Sequence, residues 1–139
     1  MTVNILLEES PPGELNLELL KKAIHLTLTR HNYGDADVTL LLTNDEEMEQ
    51  LNKDYRGISS TTDVLSFNQG YIDPDTRRLY FGDIVISVQQ ASKQAKEAQH
   101  SLIDECILLT IHGTLHLLGY DHINAEDKQI MWEEQTFLL

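Results

Sequence analysis

The amino-acid sequence predicts one α/β domain over residues 1–139, in which a mixed sheet of about four strands is covered by helices and one helix is buried. Short apolar runs alternate with longer segments whose apolar residues recur every three to four positions, the pattern of strands interspersed with helices. Three connections contain or could contain helices, which permits parallel neighbours. The connection over 68–78 contains Gly70 and Asp73-Pro74-Asp75, so it is expected to join an antiparallel pair.

The first third of the chain is expected to form a strand, a helix and a second strand. Residues 2–7 end in the apolar run Ile5-Leu6-Leu7, and residues 38–43 are β-branched and mostly apolar. Between them, the spacing of apolar residues predicts a helix over about 16–31. Its apolar stripe comprises Leu17, Leu20, Ala23, Ile24 and Leu28.

A second helix is predicted to begin after Asn44, because this side chain can cap a helix and Glu47 three residues later completes a capping pattern. The helix should end near Arg56 and Gly57, which leaves the arginine at the edge of a loop. Its buried face is expected to comprise Met48, Leu51 and Tyr55.

The remaining elements follow from turn residues and helix caps. A strand over 64–67 and a return strand over 79–86 should be joined by the hairpin connection 68–78. Ser87 and Ser101 each stand three residues before a side chain that completes a capping pattern, so each should open a helix. A terminal helix that packs on the core is expected from Asn124, with the apolar residues Ile130, Met131, Phe137 and Leu138.

The candidate chemistry is concentrated in residues 112–122, which contain three of the six histidines. His112 and His116 are four residues apart, a spacing that places two side chains on one face of a helix. Gly119 follows where helices often end in a left-handed glycine, and such a reversal could fold His122 back toward the other two. Three imidazoles without a fourth protein ligand favour one Zn²⁺ ion with an open position, the catalytic arrangement.

This segment resembles the signature of a known family. The run His-Gly-Thr-Leu-His-Leu-Leu-Gly-Tyr-Asp-His is similar to that of the YbeY family, bacterial and organellar metal-dependent endoribonucleases linked to ribosomal RNA maturation. The similarity spans about residues 40–139, although position 58, often lysine in the family, is Ile58 here. Upstream segments that share it are Leu51-Asn52-x-x-Tyr55-Arg56-Gly57, Thr62-Asp63-Val64-Leu65-Ser66-Phe67, Gly82-Asp83-Ile84-Val85-Ile86-Ser87 and His100-Ser101.

The resemblance implies a function, partners and site residues. It implies metal-dependent cleavage of single-stranded RNA in maturation of the 3′ end of the small-subunit (16S) ribosomal RNA, and a part in ribosome quality control. The implied partners are a ribosomal RNA precursor, the small ribosomal subunit and assembly factors. His112, His116 and His122 would hold the metal, and Arg56 would grip the scissile phosphate.

Two roles remain open on the sequence. The general base is unassigned: Asp63 and Asp83 are candidates by resemblance only, and a metal-bound hydroxide would need none. Asp121 stands beside His122, where it either orients a ligand imidazole or serves as a turn residue after Gly119-Tyr120.

The charge balance restricts the partners. The net charge is −13, from 23 acidic against 10 basic residues, which disfavours non-specific binding to nucleic acid, and no DNA partner is expected. Lys53, Arg56, Arg77 and Arg78 nevertheless lie within 26 residues of one another. They predict a small positive cleft on an acidic body, suited to a particular RNA delivered by a larger assembly.

A cytoplasmic location without a membrane partner is expected. The single cysteine, Cys106, lies in an apolar run and is interpreted as a buried thiol in a reducing compartment. No apolar stretch approaches the roughly 20 residues of a membrane span. The first nine residues lack the basic start and cleavage site of a signal peptide.

Two other functions are left open. A metallopeptidase-like hydrolase could use the same metal, although peptidases with His-Glu-x-x-His carry a general base where this chain has Gly113. A non-catalytic ribosome-assembly factor could use the metal structurally, in which case a fourth protein ligand should close the metal site.

Overall fold

The computed structural model describes residues 2–11 and 15–119, and within them helices cover both faces of a four-stranded sheet. The elements in chain order are β1 (Val3–Leu7), α1 (Leu17–Arg30), β2 (Asp37–Thr43), α2 (Asp45–Arg56), β3 (Val64–Ile72), β4 (Leu79–Ser87), α3 (Val88–Ala98) and α4 (Leu102–Leu117). The predicted α/β architecture with a mixed sheet of four strands is confirmed. The terminal helix predicted from Asn124 lies outside the described residues.

The strand order is β1-β2-β4-β3, and it follows from the connections. β1 and β2 are parallel with α1 between them, and β2 and β4 are also parallel. β3 pairs with β4 as an antiparallel hairpin, from Val64 opposite Ile86 to Ile72 opposite Leu79. Because the hairpin places β3 outside β4, β3 is an edge strand of the sheet.

The main core lies between the sheet and the helices α1, α3 and α4. Alternate residues of β2 and β4 point to this face, since side chains along a strand alternate between the two faces. The helix α1 contributes residues spaced four apart, as its apolar stripe predicts. Buried members of this core include Leu20, Ile24, Leu28, Val38, Leu40, Leu42, Ile84, Ile86, Cys106 and Leu109.

Side chains cap the predicted helix starts. Asn44 Oδ1 accepts a hydrogen bond from the Glu47 backbone N–H at 2.8 Å. Ser87 Oγ accepts one from Gln90 N–H at 3.3 Å, and Ser101 Oγ accepts one from Asp104 N–H at 3.2 Å. Each cap satisfies one of the amide groups that the first turn of a helix leaves unpaired, so all three starts are confirmed.

The helix α2 packs on the opposite face of the sheet, where Met48 lies with Leu65 and Val85 in a smaller apolar cluster. The prediction that Tyr55 belongs to the buried face of α2 is wrong, because this residue is 70% exposed. It lies in the last turn of α2, where its ring packs against that of Phe67 with ring centroids 5.1 Å apart.

The strand β3 is longer than the sequence predicts. It was expected over 64–67, but pairing with β4 continues to Ile72 and leaves a shorter connection. The register shifts between Asn68 and Tyr71, and Gly70 has a φ of 55°. The polar and glycine residues that resemble a turn in the sequence form a β-bulge instead, and the pairing between β3 and β4 resumes at Tyr71.

No helix within residues 2–11 and 15–119 is long and apolar enough to cross a membrane.

Candidate functional site

The helix α4 carries two of the predicted metal ligands and lies in the centre of the fold. It contacts α1, α3, β3 and β4. Its buried residues come from all sides of the helix, as expected for a helix surrounded by other elements. They are Glu105, Cys106, Leu109, Thr110, Ile111, Gly113, Thr114, Leu115 and Leu117. The helix is therefore fixed by packing along most of its length.

Gly113 lets α4 approach the sheet closely. A Cβ atom at this position would lie 2.6 Å from Ile84 Cγ2 and 3.2 Å from both Ser66 Oγ and Val64 Cγ2. The Ser66 hydroxyl donates to the Gly113 carbonyl at 2.8 Å, and Asn68 Nδ2 donates to the Leu117 carbonyl at 2.8 Å. These contacts set the position of the C-terminal half of α4 along β3.

His112 and His116 lie one turn apart in this C-terminal half, and both residues are half-buried. The four-residue spacing places their imidazoles on one face of α4, as predicted. The helix ends at Leu117, and Gly119 then adopts a φ of 99°, a conformation that favours glycine. The predicted helix end before Gly119 is confirmed.

These two donors fit a zinc site. Zn²⁺ is commonly bound by imidazole nitrogens, and a pair one helical turn apart supplies two of them from a rigid element. Within residues 2–11 and 15–119, no group of three or more His, Cys, Asp or Glu side chains could hold a metal ion. His122, the third predicted ligand, and its neighbour Asp121 lie outside the described residues. The structure thus brings together two of the three predicted ligands.

The first turn of α4 contains a buried carboxylate with a defined partner. Glu105 Oε2 lies 2.5 Å from His100 Nε2, and Glu105 is 5% exposed. Cys106 is buried beside it. Burial, together with the Glu105 carboxylate, raises the pKa of the Cys106 thiol to about 12, so the thiol is neutral at physiological pH. This supports the sequence interpretation of Cys106 as an inert core residue.

Arg56 is the last residue of α2 and is exposed. Gly57 follows with a φ of 71° and ends the helix through its backbone N–H, which donates to the Lys53 carbonyl at 3.1 Å. The loop that follows is attached to α2 by buried Asn52, whose Nδ2 donates to the Ser60 carbonyl at 2.8 Å. The backbone at Arg56 is therefore held in place, while its side chain is exposed to solvent.

The C-terminal turns of α2 and α4 flank the same stretch of the edge strand. On one face, Tyr55 of α2 contacts Phe67, and on the other face Asn68 holds the end of α4 at Leu117. Phe67 and Asn68 are consecutive residues of β3, so their side chains point to opposite faces of the sheet. The last turns of α2 and α4 consequently lie against neighbouring residues of β3, and because β3 is an edge strand, a substrate at this edge of the sheet can reach both turns.

Fewer basic residues lie together than the four that predict the positive cleft. Arg78 does not contribute to it, because its Nε lies 3.0 Å from Asp37 Oδ2, in an ion pair whose carboxylate is mostly buried. The arginine also donates from Nη2 to the Thr2 hydroxyl at 3.2 Å. Lys53 and Arg56 remain together in the last turn of α2, whereas Arg77 lies in the connection between β3 and β4. These two cations form the positive group next to the loop.

The two aspartates considered as general bases have structural partners. Asp63 Oδ1 accepts from the Val64 N–H at 2.8 Å, and its Oδ2 accepts from Gln94 Nε2 at 3.2 Å. Asp83 Oδ1 accepts from the Tyr80 hydroxyl, and its Oδ2 accepts from Gln69 Nε2 at 3.2 Å.

The hydroxyl of Tyr80 keeps its proton over a wide pH range. Burial, followed by the hydrogen bond to Asp83, raises the pKa of Tyr80 from 10.0 to about 12. A protonated phenol can donate the hydrogen bond that Asp83 Oδ1 accepts.

A pocket beside the end of α2 was not foreseen from the sequence. Its lining includes Tyr55, Phe67 and Asp83. The sequence predicts Tyr55 on the buried face of α2 and offers Asp83 only as a candidate general base. The period of two along a strand places Asp83 on the face opposite Ile84 and Ile86, but the sequence does not show which residues of α2 and β3 surround it.

Comparison with known proteins identifies the family. The family model described as Endoribonuclease YbeY matches residues 10–139. The chain belongs to the YbeY family. Its similarity to the family therefore extends beyond the motif segments: the match begins after β1 and covers every later element from α1 to α4.

Relatives in the YbeY family align over nearly the whole chain. A protein of Desulforamulus reducens named Endoribonuclease YbeY is 42% identical over 142 residues, which cover 99% of this chain and 93% of that protein. A Bacillus pumilus protein of the same name is 36% identical and covers 100% of this chain and 93% of its own length. A chloroplastic Endoribonuclease YBEY of Arabidopsis thaliana is 35% identical over all of this chain, which spans 28% of that longer protein.

A solved structure supports the same fold. A Thermotoga maritima protein, known from its solution structure, aligns with a TM-score of 0.64 and 28% sequence identity. The alignment covers 99% of this chain and 86% of that one.

Proposed function

We propose that this chain is a metal-dependent endoribonuclease that cleaves single-stranded RNA. The observation that carries the proposal is the placement of His112 and His116 one turn apart on the core helix of a YbeY-family chain. We further propose that its substrate is a precursor of the small-subunit (16S) ribosomal RNA, cleaved in maturation of the 3′ end, and that it acts in ribosome quality control.

His112, His116 and His122 are the proposed ligands of one Zn²⁺ ion. When bound, such an ion supplies Lewis-acid chemistry, which polarises a phosphoryl oxygen and makes water more acidic. The packing of α4 supports this assignment, because it fixes the backbone from which His112 and His116 project. The contacts of Gly113 with Ile84 and Ser66 fix the turn between the two described ligands.

Arg56 is the proposed phosphate-binding residue. A guanidinium group offers several donors in a fixed plane and matches two oxygens of a phosphate group. Its exposure at the end of α2 leaves these donors accessible, and Asn52 supports the adjoining loop. Its role is to hold and orient the scissile phosphate and to stabilise the charge that develops there.

The acidic surface is consistent with a delivered substrate. A net charge of −13 disfavours binding to arbitrary nucleic acid, so affinity for free RNA should be low. We propose that the small ribosomal subunit and its assembly factors present the precursor to the site, in the cytoplasm. Lys53 and Arg56 then contact phosphates locally, while the acidic body repels competing strands.

The packing of position 113 disfavours the peptidase alternative. This position faces Ile84, Ser66 and Val64, so a glutamate there could not be accommodated as in His-Glu-x-x-His enzymes. A non-catalytic assembly factor would not cleave RNA, so a direct cleavage assay distinguishes it from an endoribonuclease.

The proposal is tested with highly purified protein and a circular single-stranded RNA, which only an endonuclease can open. We expect Zn²⁺-dependent linearisation of the circle, slower cleavage of the same sequence in a duplex, and no cleavage of the matching DNA or of a casein substrate. His116→Ala should abolish cleavage, whereas His25→Ala, which changes an exposed histidine of α1, should retain it.

Three results would overturn the proposal. Equal cleavage by the wild type and His116→Ala would indicate a contaminating nuclease. Peptide turnover without RNA cleavage would indicate the metallopeptidase-like hydrolase. An inactive wild type whose metal shell is closed by a fourth protein ligand would indicate the assembly factor.

A further inference from the structure

A pocket of about 260 Å³ lies on the face of the sheet that α2 covers only in part. Its lining combines aliphatic side chains, two aromatic rings and polar side chains of β2, β3 and β4. This volume is below the roughly 300–1,000 Å³ typical of sites for drug-sized ligands, so it suits one small flat group. Its principal lining residues are Leu41, Leu51, Tyr55, Phe67, Gln69 and Asp83.

The rim of the pocket presents an aromatic surface to solvent. Tyr55 is 70% exposed, and its ring lies 5.1 Å from that of Phe67 with an angle of 59° between the two planes. Burial of this ring would be favourable, yet nothing in the described residues covers it. Exposed aromatic rings of this kind are platforms on which the bases of single-stranded nucleic acids stack.

The polar side of the pocket presents a hydrogen-bond acceptor. A carboxylate has about four acceptor positions and no donor. Asp83 uses one position for the Tyr80 hydroxyl and one for Gln69 Nε2, and these contacts hold its orientation. The carboxylate can therefore accept further hydrogen bonds from a ligand that carries N–H groups. It would repel a phosphate or any other anion.

The chain places this pocket next to the proposed phosphate-binding residue. Tyr55 directly precedes Arg56, and Lys53 lies three residues before Arg56 in the same turn. A strand whose phosphates contact these cations would have a base within reach of the aromatic rim. Lys53 and Arg56 lie outside the pocket, and the Asp83 carboxylate accepts hydrogen bonds inside it. This arrangement matches a nucleotide, which carries a phosphate at one end and N–H donors at the other.

We propose that this pocket binds one unpaired base of the RNA substrate by stacking on Tyr55, and that Asp83 selects bases with an exocyclic amino group over uracil. This inference rests on the proposed function. Cytosine, adenine and guanine each carry an amino group that donates to a carboxylate, and aspartate is a known partner of the cytosine amino group. Uracil offers only one N–H and two carbonyl oxygens, which the carboxylate repels.

The test measures binding of short fluorescein-labelled 2′-O-methyl oligonucleotides of cytosine, adenine or uracil to the intact, zinc-loaded chain by fluorescence anisotropy. We expect tighter binding of the cytosine and adenine oligonucleotides than of the uracil one. Tyr55→Ala should weaken all three by about tenfold, since stacking on one aromatic ring is lost. Tyr55→Phe keeps the ring and should bind like the wild type. Asp83→Asn should remove the preference over uracil while uracil binding persists.

The matched control is Tyr33→Ala, which removes another exposed tyrosine, one that packs on Phe81 of the main core. It should leave binding unchanged. If Tyr55→Ala does not fold, Tyr55→Leu retains an apolar contact with Phe67 but removes the stacking ring, and it replaces Tyr55→Ala in the test. Melting curves of all variants establish which of them are folded.

Several outcomes would overturn the inference. The first is wild-type oligonucleotide affinity in the folded variant that lacks the Tyr55 ring. The second is a loss of affinity in Tyr33→Ala equal to that in Tyr55→Ala. The third is an unchanged preference for cytosine and adenine over uracil in Asp83→Asn. If Tyr55→Ala dissociates a dimer without changing oligonucleotide affinity, the pocket is an interface between copies. Circular-RNA cleavage measured in parallel separates the two proposals. If the wild type cleaves RNA but the pocket variants bind oligonucleotides as the wild type does, this inference alone is overturned. If the wild type does not cleave RNA, the proposed function is overturned.

Discussion

The Ser66 hydroxyl donates a hydrogen bond of 2.8 Å to the backbone carbonyl of Gly113, and this contact joins the edge strand β3 to the helix that carries His112 and His116. The helix can approach the strand closely enough for this contact because Gly113 has no side chain between helix and sheet. The position of His112 and His116 therefore depends on Gly113, which has no side chain to bind metal or substrate.

Gly113→Ala should destabilise the fold. In an exposed helix this change would stabilise by about 1 kcal/mol, because alanine has the higher helix propensity. Here the new Cβ would lie 2.6 Å from Ile84 Cγ2, and overpacking of this kind costs about 1–3 kcal/mol. The free energy of unfolding, measured by urea titration, should fall. Ile84→Ala should cost less in the Gly113→Ala background than in the wild type, and additive losses would contradict the proposed clash.

Arg56→Ala should reduce RNA cleavage by about a hundredfold, the scale observed when a preorganised donor to a developing charge is lost. Its stability should change by no more than about 0.5 kcal/mol, because the side chain is exposed. Arg56→Lys should recover part of the activity, since an ammonium group restores the charge without the planar pair of donors. Cleavage rates and melting temperatures of the three proteins check this, and a wild-type rate in Arg56→Ala would remove the residue from the site.

Metal removal should lower the melting temperature. A ligand that binds only the folded state stabilises it by about 2.7 kcal/mol at a hundredfold excess over its dissociation constant. His112 and His116 lie on the core helix, so the ion should bind the native state. Addition of a chelator should destabilise the wild type and His25→Ala but leave His116→Ala unaffected. Identical melting of the wild type with and without chelator would show that the ion does not support the fold.

Stability should fall at alkaline pH. Burial raises the pKa of Cys106 from 9.0 to about 12, and burial with the Asp83 hydrogen bond raises the pKa of Tyr80 from 10.0 to about 12. The unfolded chain therefore releases these protons first as the pH rises. The stabilising contribution of each group is complete below its unfolded pKa and is lost as the pH rises through its folded value. Urea titrations across this range should show a smaller decline for Cys106→Ala than for the wild type, and an equal decline would contradict the assignment.

The elements that local chemistry specifies were predicted well. Asn44, Ser87 and Ser101 each cap a helix through a hydrogen bond from the backbone N–H three positions later, so the signal lies within a few residues of sequence. The end of α4 before Gly119 follows for the same reason. The mixed sheet follows from the types of connection, because helical connections allow parallel strands and a hairpin requires antiparallel ones.

The features that depend on distant contacts were predicted poorly. The extension of β3 to Ile72 relies on pairing with β4 beyond a bulge, which overrides the turn-like residues Asn68 and Gly70. Arg78 is removed from the positive cleft by Asp37, 41 residues away in sequence. The exposure of Tyr55 depends on how far α2 covers the sheet. None of these contacts leaves a local sequence pattern.

The measurement that tests the central claim most directly is a titration of Zn²⁺ into metal-stripped protein, with RNA cleavage and bound metal recorded together. We expect activity to rise in proportion to bound zinc and to reach its maximum at one ion per chain. His112→Ala, His116→Ala and His122→Ala should each lose both metal and activity, while His25→Ala should follow the wild type. Full cleavage by the stripped protein, or one tightly bound ion in a variant that lacks all three histidines, would contradict the account.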